Sequence, residues 1–328
     1  MRSPGQYLQG VRHPEAFHGA GITSKFFEGW YIKLVSKDLS QRWAVIPGVF
    51  LGLDGHTRES FVQVLDGSTG RSWYHRFGVD DFQASSDEFS VSVGDNHFSS
   101  EGVTLNLPQL TGDIAFSSPL NPWPVTLREP GIMGWYGLVP FMECFHGIVS
   151  FGHDLKGTLS VEGRKRSFDG GRGYIEKDWG KAFPQGYVWL HSNHLEGLPD
   201  ASFIGSVAII PWLGGAFRGF IAGLYHSGRL HRFTTYNRTT ERVLDITDTH
   251  VHWELHGPDG TLRVDAERTE GGALHAPLRE AMHQRVEETL NAHIALTHTD
   301  HDGRILLDTT AEVGAMEVYG DTEKLLGL

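Results

Sequence analysis

Short strand-like runs, broken by Gly, Asp, Asn and Ser, recur from one end of the chain to the other, and long helical stripes are scarce. In runs such as "ESFVQVLD" and "THVHWELHG", Val62 and Val64, or Val251, Trp253 and Leu255, fall at two-residue spacing. That period places them on one face of a pleated strand. Ser227 to Arg229 ("SGR"), Pro258 to Gly260 ("PDG") and His301 to Gly303 ("HDG") supply turn chemistry between such runs. The most apolar stretch, Ser202 to Tyr225, is interrupted by Pro211, Gly214, Gly215 and Arg218. A membrane-spanning helix needs about 20 cleaner residues, so two strands around a turn are expected there. The fold class that follows is all-β, with antiparallel sheet curved into barrels or sandwiches and little helix.

One helix is expected after Pro277, where Leu278, Met282, Val286 and Leu290 recur every fourth residue. Between Ser117 and Gly147, five prolines (119, 122, 124, 130 and 140) remove ladder donors, so an irregular crossing or lid is expected until about Glu143. A charged turn, "VEGRKRSFDGG", follows at Val161 to Gly171. At 328 residues the chain has room for one large unit or two of ordinary size. Two domains, 1–165 and 166–328, divide it near that turn.

The net charge of −12, from 28 basic and 40 acidic side chains, gives an average field that repels polyanions and argues against a nucleic-acid partner. Phe, Trp and Tyr number 19, 9 and 9, which suits sheet cores or a roomy apolar cavity. Cys144 is the only cysteine, so there is no intrachain disulfide and no thiolate-rich metal site. The opening "MRSPGQYLQGVRHPEAF" lacks the continuous apolar segment of a secretory signal. A cytoplasmic location without a transmembrane segment is therefore expected. No "HExxH" motif appears, and the histidine pairs 191/194, 250/252 and 298/301 are scattered, so no metal is expected. Neither "GxxxxGK[ST]" nor a well-placed "GxGxxG" is present, which disfavours nucleotide chemistry.

The densest concentration of chemistry lies in "GRGYIEKDWGKAFPQGYVWLHSNHL", Gly171 to Leu195. Extended geometry puts Glu176 and Asp178 on one face, and Ile175, Lys177 and Trp179 on the other. Adjacent carboxylates disfavour joint ionisation, so one could stay protonated as a general acid; a solvated or salt-bridged pair is the plainer alternative. Trp189, His191, Asn193 and Leu195 share the next face, and their polar groups suit either ligand binding or an internal network. In "SKFFEGWYIKLV", Glu28 shares parity with Trp30, whereas Phe27 and Tyr31 take the other side. Glu28 is a pocket acid or a carboxylate that caps donors. "ECFHG" places Cys144 and His146 opposite Glu143, Phe145 and Gly147, with no nucleophile signature around the thiol.

The combination of "FFEGWYIKL", "EKDWG", "FP", an aromatic strand ending in "SNHL" and the terminal "DTTAEVGAMEVYG" resembles the tocopherol cyclase family, including its bacterial cyclase-like members. The plant cyclases' centre is similar to Ser-Glu-Lys-Asn-Trp-Gly, then Phe-Pro and a tryptophan-rich strand ending in Gln-Cys-Asn. The resemblance maps their acid and lysine onto Glu176 and Lys177, their tryptophan onto Trp179 and their strand asparagine onto Asn193. Asp178 stands where that pattern has Asn, and "HSN" at His191 to Asn193 replaces Gln-Cys-Asn.

The resemblance implies two lipocalin-like (calycin-like) domains and an isomerase that cyclises a prenylated quinol, or a related polyene, by alkene protonation. No cofactor is implied, and the partner is a hydrophobic small molecule, a substrate class compatible with transient contact at a membrane surface. Under this reading Glu176, Asp178 and Glu28 are the catalytic candidates. Trp30, Tyr31, Lys177, Trp179, Trp189, His191 and Asn193 are the substrate-binding ones. Binding of an apolar molecule without turnover, and hydration of a polyene, are the alternatives.

Overall fold

The computed structural model describes residues 10–127, 129–247, 249–278, 280–282 and 284–328. They form two antiparallel, barrel-like sheets, of 12 and 10 strands. The chain divides into two compact units: residues 1–183 with 274–285, and residues 184–273 with 286–328.

The first sheet contains β1 (Phe26–Val35), β2 (Arg42–Leu51), β3 (Arg58–Asp66), β4 (Arg71–Phe77), β5 (Phe82–Ala84), β6 (Ser90–Val93), β7 (Asn96–Ser99), β8 (Gly102–Leu107), β9 (Leu110–Phe116), β10 (Cys144–Val161), β11 (Arg164–Ser167) and β12 (Gly171–Gly180). Its order is β4-β3-β2-β1-β12-β10-β9-β8-β7-β6-β5, with β11 beside β10. Alternation decides which face is buried. Trp30, Ile32 and Leu34 of β1, Val62 and Val64 of β3, Val91 and Val93 of β6, and Ile175 of β12 share one core. Strands far apart in the sheet order thus meet on the inside, so the sheet is rolled. Gln109 Nε2, in the β8–β9 turn, lies 3.0 Å from His75 Nε2 of β4 and ties the roll. β12, beyond the division at 165/166 read from the sequence, pairs with β1 and β10 at the centre of this first sheet.

The second sheet contains β13 (Gly186–Ser192), β14 (Ser202–Trp212), β15 (Gly215–His226), β16 (Arg229–Thr234), β17 (Thr240–Ile246), β18 (His250–Gly257), β19 (Gly260–Glu267), β20 (Gly272–Ala276), β21 (Gln284–Thr299) and β22 (Ile305–Gly320). Its order is β16-β15-β14-β13-β22-β21-β19-β18-β17, with β20 off this path. The apolar stretch Ser202 to Tyr225 is the β14–β15 hairpin. Its turn residues Leu213 and Gly214 have φ of 46° and 85°, as do Ser227 and Gly228 of the next hairpin at 53° and 74°. Two consecutive positive φ values match the right-handed twist of the flanking strands. Val188, Leu190, Leu224, Phe233, Leu262 and Leu296 are among the residues of this unit's core.

The helix expected from Leu278 to Leu290 is not formed: β21 begins at Gln284, while Arg279 and His283 lie outside the described residues. A four-residue repeat is also a multiple of two. Val286 and Leu290 are buried in β21, as are Ala292, Ile294 and Leu296 across the irregularity between Thr289 and Ile294. The helix among the described residues with a resolved cap is α1 (Thr322–Gly327), whose N-cap Asp321 accepts from the Lys324 amide. No helix among the described residues is long and apolar enough to cross a membrane.

The proline-rich crossing is irregular as expected, with one short 3-10 turn at Gly134–Leu138 before β10 starts at Cys144.

Candidate active site

β1 and β12 run antiparallel, with Glu28 opposite Trp179 and Trp30 opposite Lys177. These four residues face the inside of the first sheet, where Trp30 belongs to the core. A lysine cannot be buried there without a counter-charge. Lys177 forms an ion pair with Glu28, and both side chains are fully buried. Its Nζ also donates to the Ala16 carbonyl and sits 4.4 Å and 5.2 Å from the ring centroids of Trp30 and Trp179. His18 completes the group. Its amide donates to both Glu28 oxygens at 3.0 Å, and its Nδ1 lies 2.9 Å from Oε1. Burial raises the Glu28 pKa, but Lys177 and His18 outweigh that, so the carboxyl sits below its usual range. Glu28 is thus held as an ionised acceptor.

Glu176 and Asp178 face the other way, as alternation requires. Tyr31 is registered opposite Glu176 on that outer face. The Tyr174 hydroxyl donates to Glu176 Oε2 at 2.6 Å, and burial followed by the Glu176 charge raises its pKa far above the usual phenol value. On the neighbouring strand β10, His146 is registered opposite Asp178. His146 Nδ1 lies 2.8 Å from Asp178 Oδ1, and its Nε2 lies 3.7 Å from Glu176 Oε2. Burial alone would lower the imidazole pKa, but the Asp178 and Glu176 carboxylates together raise it to about 9. His146 is therefore an imidazolium at neutral pH, and its Nε2 is buried with no hydrogen-bond partner.

His146 lines a narrow cleft of about 20 Å³ that opens to solvent. The cleft walls include Trp123, Pro130, Ile132 and Met133 of the proline-rich crossing, Pro14, and Phe145 and Trp179. Trp179 is stacked between Phe145 (centroids 5.6 Å apart) and His18 (4.3 Å). Glu176 and Asp178 do not line the cleft, and each carboxylate faces one ring nitrogen of the lining residue His146. Gly180, at the end of β12, has φ of 154°, and an added Cβ there would run into the Glu143 carbonyl where the crossing joins β10. Burial and then the Asp178 and Glu143 charges push the Cys144 thiol pKa well up, leaving an inert sulfur.

Trp189, His191 and Asn193 belong to the second unit. They lie along and just beyond β13 on the parity opposite the core residues Val188 and Leu190. All three are buried; the Trp189 and His191 rings are near-parallel at 6.1 Å, and Asn193 Oδ1 lies 2.9 Å from His194 Nδ1.

Among the described residues, two groups of side chains offer three metal-ligand atoms within 4.8 Å of one another: His146, Glu176 and Asp178, and His226, His231 and His298. The first is already committed to the His146–Asp178 and Tyr174–Glu176 hydrogen bonds.

The sequence reading did not select His18, His146 or Tyr174. Tyr174 carries a local signal, being two residues before Glu176 on the same strand face. His18 and His146 reach the site through contacts 10 and 32 residues away in sequence, which no local pattern encodes.

A rolled, two-sheet antiparallel architecture with a buried ion-pair network and an aromatic cleft defines a lipocalin-like β protein. The model of the tocopherol cyclase-like family matches residues 113–320, and the chain belongs to that family. A rice protein (Oryza sativa subsp. japonica) named "Probable tocopherol cyclase, chloroplastic" is 27% identical over 213 residues, 60% of this chain and 44% of its own length. The maize (Zea mays) "Tocopherol cyclase, chloroplastic" is 24% identical over 209 residues, 60% of this chain and 43% of its own. The matched region thus spans less than half the length of these curated relatives. The crystal structure of kievitone hydratase from Nectria haematococca superposes with a TM-score of 0.53 at 14% identity, covering 90% of each chain. At that identity the likeness shows the fold alone.

Proposed function

We propose that the first unit takes an apolar, alkene-bearing ligand into the cleft and isomerises it by proton transfer from His146, in the manner of a prenylquinol cyclisation. The observation that carries this reading is the His146 imidazolium itself: charged at neutral pH and lining an aromatic cleft, with a buried Nε2 that faces Glu176 at 3.7 Å but makes no hydrogen bond. At 3.7 Å the Glu176 carboxylate balances the charge but leaves the Nε2 proton without a hydrogen bond. The curated relatives named tocopherol cyclases support the same class of substrate.

The proton moves from Nε2 to one alkene carbon, leaving a tertiary cation at the other. Positive charge passes from the imidazole to the ligand while Asp178 and Glu176 stay in place. The carboxylates that raise the His146 pKa therefore also stabilise the cation beside it. Phe145 and Trp179 in the cleft wall exclude water from that charge. A ring hydroxyl held close by then attacks the cation, forming the C–O bond, and its proton returns to Nε2. No atoms are gained or lost. In this scheme Asp178 and Glu176 act through His146, and the Glu28–Lys177–His18 group holds Trp30 and Trp179 in place as cleft support.

Incubating the protein with a panel of prenylquinols and polyenes, followed by mass and product analysis, tests the proposal. Cyclisation preserves mass, hydration adds water, and simple binding changes neither. Wild type should yield a mass-neutral product, and His146→Asn should bind the same ligand but fail to convert it. Conversion at the wild-type rate by folded His146→Asn would refute the assignment, and ligand binding without any product would establish the carrier alternative.

A further inference from the structure

We propose that the second unit carries a metal site, formed by His226, His231 and His298, for a divalent transition ion of the zinc type. Two of the residues come from the neighbouring strands β15 and β16 and the third from β21, which adjoins neither in the sheet order, and the roll of the sheet brings them together. They continue the inward columns of Leu224 on β15 and Leu296 on β21, and His231 is registered opposite Leu224. All are buried, at 9%, 7% and 0% exposure.

One ring nitrogen of each lies within 4.8 Å of the other two. The His226 and His231 rings stack at 4.5 Å, and the His298 ring stands 4.6 Å from His231 and 5.7 Å from His226. Each residue also keeps one buried ring nitrogen without a hydrogen-bond partner: Nε2 of His226, Nδ1 of His231 and Nδ1 of His298. The three imidazole nitrogens are buried near one another at one end of the barrel and make no hydrogen bonds among themselves. A shared cation satisfies all three at once.

Support behind the ligands is also built. His298 Nε2 lies 2.7 Å from the Asp259 carbonyl, so that nitrogen is the donor and Nδ1 keeps its lone pair. The Asp259 carboxylate is in turn held by Arg229 at 2.6 Å and by the Arg232 amide at 2.9 Å, which fixes the turn that presents this carbonyl.

A set of three imidazoles with no carboxylate suits zinc, cobalt, nickel or copper and not magnesium or calcium, which prefer oxygen. Zn–N bonds of about 2.0–2.1 Å in a tetrahedral site require nitrogens closer than 4.8 Å, so the rings draw inward on binding. His226 can follow because it borders the Ser227–Gly228 turn. Three protein ligands leave a fourth position for water or a small anion.

The test uses the tag-free full chain, stripped with a chelator and titrated with Co(II) while its visible spectrum is recorded. The expected result is the intense d–d absorption of a four-coordinate cobalt site, saturating at one equivalent and bleached by Zn(II). Zn(II) should also raise the thermal midpoint of the wild type. His226→Ala, at the strand end, and His298→Ala should each weaken cobalt binding at least tenfold, and His226→Ala should abolish the thermal shift. Absence of the band, or a band of unchanged affinity in folded His226→Ala, would overturn the proposal. A band lost only in His146→Ala would place the ion in the first unit and overturn it equally.

Discussion

His146 and Asp178 face each other across β10 and β12, with Nδ1 and Oδ1 2.8 Å apart. Asp178 is the largest of the charges that raise the imidazole pKa to about 9. A general acid must be protonated to work, so turnover should persist through neutral pH and fall as pH rises past about 9. Asp178→Asn removes one full charge at hydrogen-bond distance, which corresponds to a shift of about 1–3 pH units. The alkaline limb of kcat/KM should move down by that amount, with ligand affinity changed little. A limb that stays in place would dissociate Asp178 from the acid.

The same raised pKa is a stability term. The folded value of about 9 lies above the ordinary imidazole value of 6.5. The contribution is therefore fully present below pH 6.5 and is lost as pH rises through about 9. The difference of 2.5 corresponds to about 3 kcal/mol. In urea unfolding at several pH values, His146→Asn should be destabilised most near pH 6 and should converge on wild type near pH 10. A gap independent of pH would point to packing instead of charge.

Lys177 and Glu28 are a fully buried pair, so removing one partner strands the other. Lys177→Met should cost about 3–5 kcal/mol of unfolding free energy. Adding Glu28→Gln should recover part of that loss, because the uncompensated carboxylate disappears with it. Chemical denaturation of the two variants checks both statements, and a double variant that only adds the two penalties would contradict the pairing.

Much of the fold was legible in the sequence because alternation and turn residues are local. The hairpin within Ser202 to Tyr225, the facing of Glu28 with Trp30 and the opposition of Glu176 to Lys177 all follow from a period of two. The same rule misled at Val286 and Leu290, where a spacing of four fits both a helix and a strand. The cleft residue His146 was visible only as a parity in "ECFHG". Its partnership with Asp178 depends on β10 pairing β12, a long-range choice made by the rolled sheet. The three-histidine group was hidden for the same reason. Its members lie on β15, β16 and β21, and of the local histidine pairs in the sequence only His298/His301 contains one of them.

The central claim is that His146 is an imidazolium at neutral pH beside an apolar cleft, and NMR titration of its ring nitrogens measures this directly. A single resonance set, assigned by comparison with His146→Asn, should titrate with a midpoint of about 9. A midpoint at or below the ordinary 6.5 would mean a neutral ring at neutral pH, and would contradict the proton-donor account.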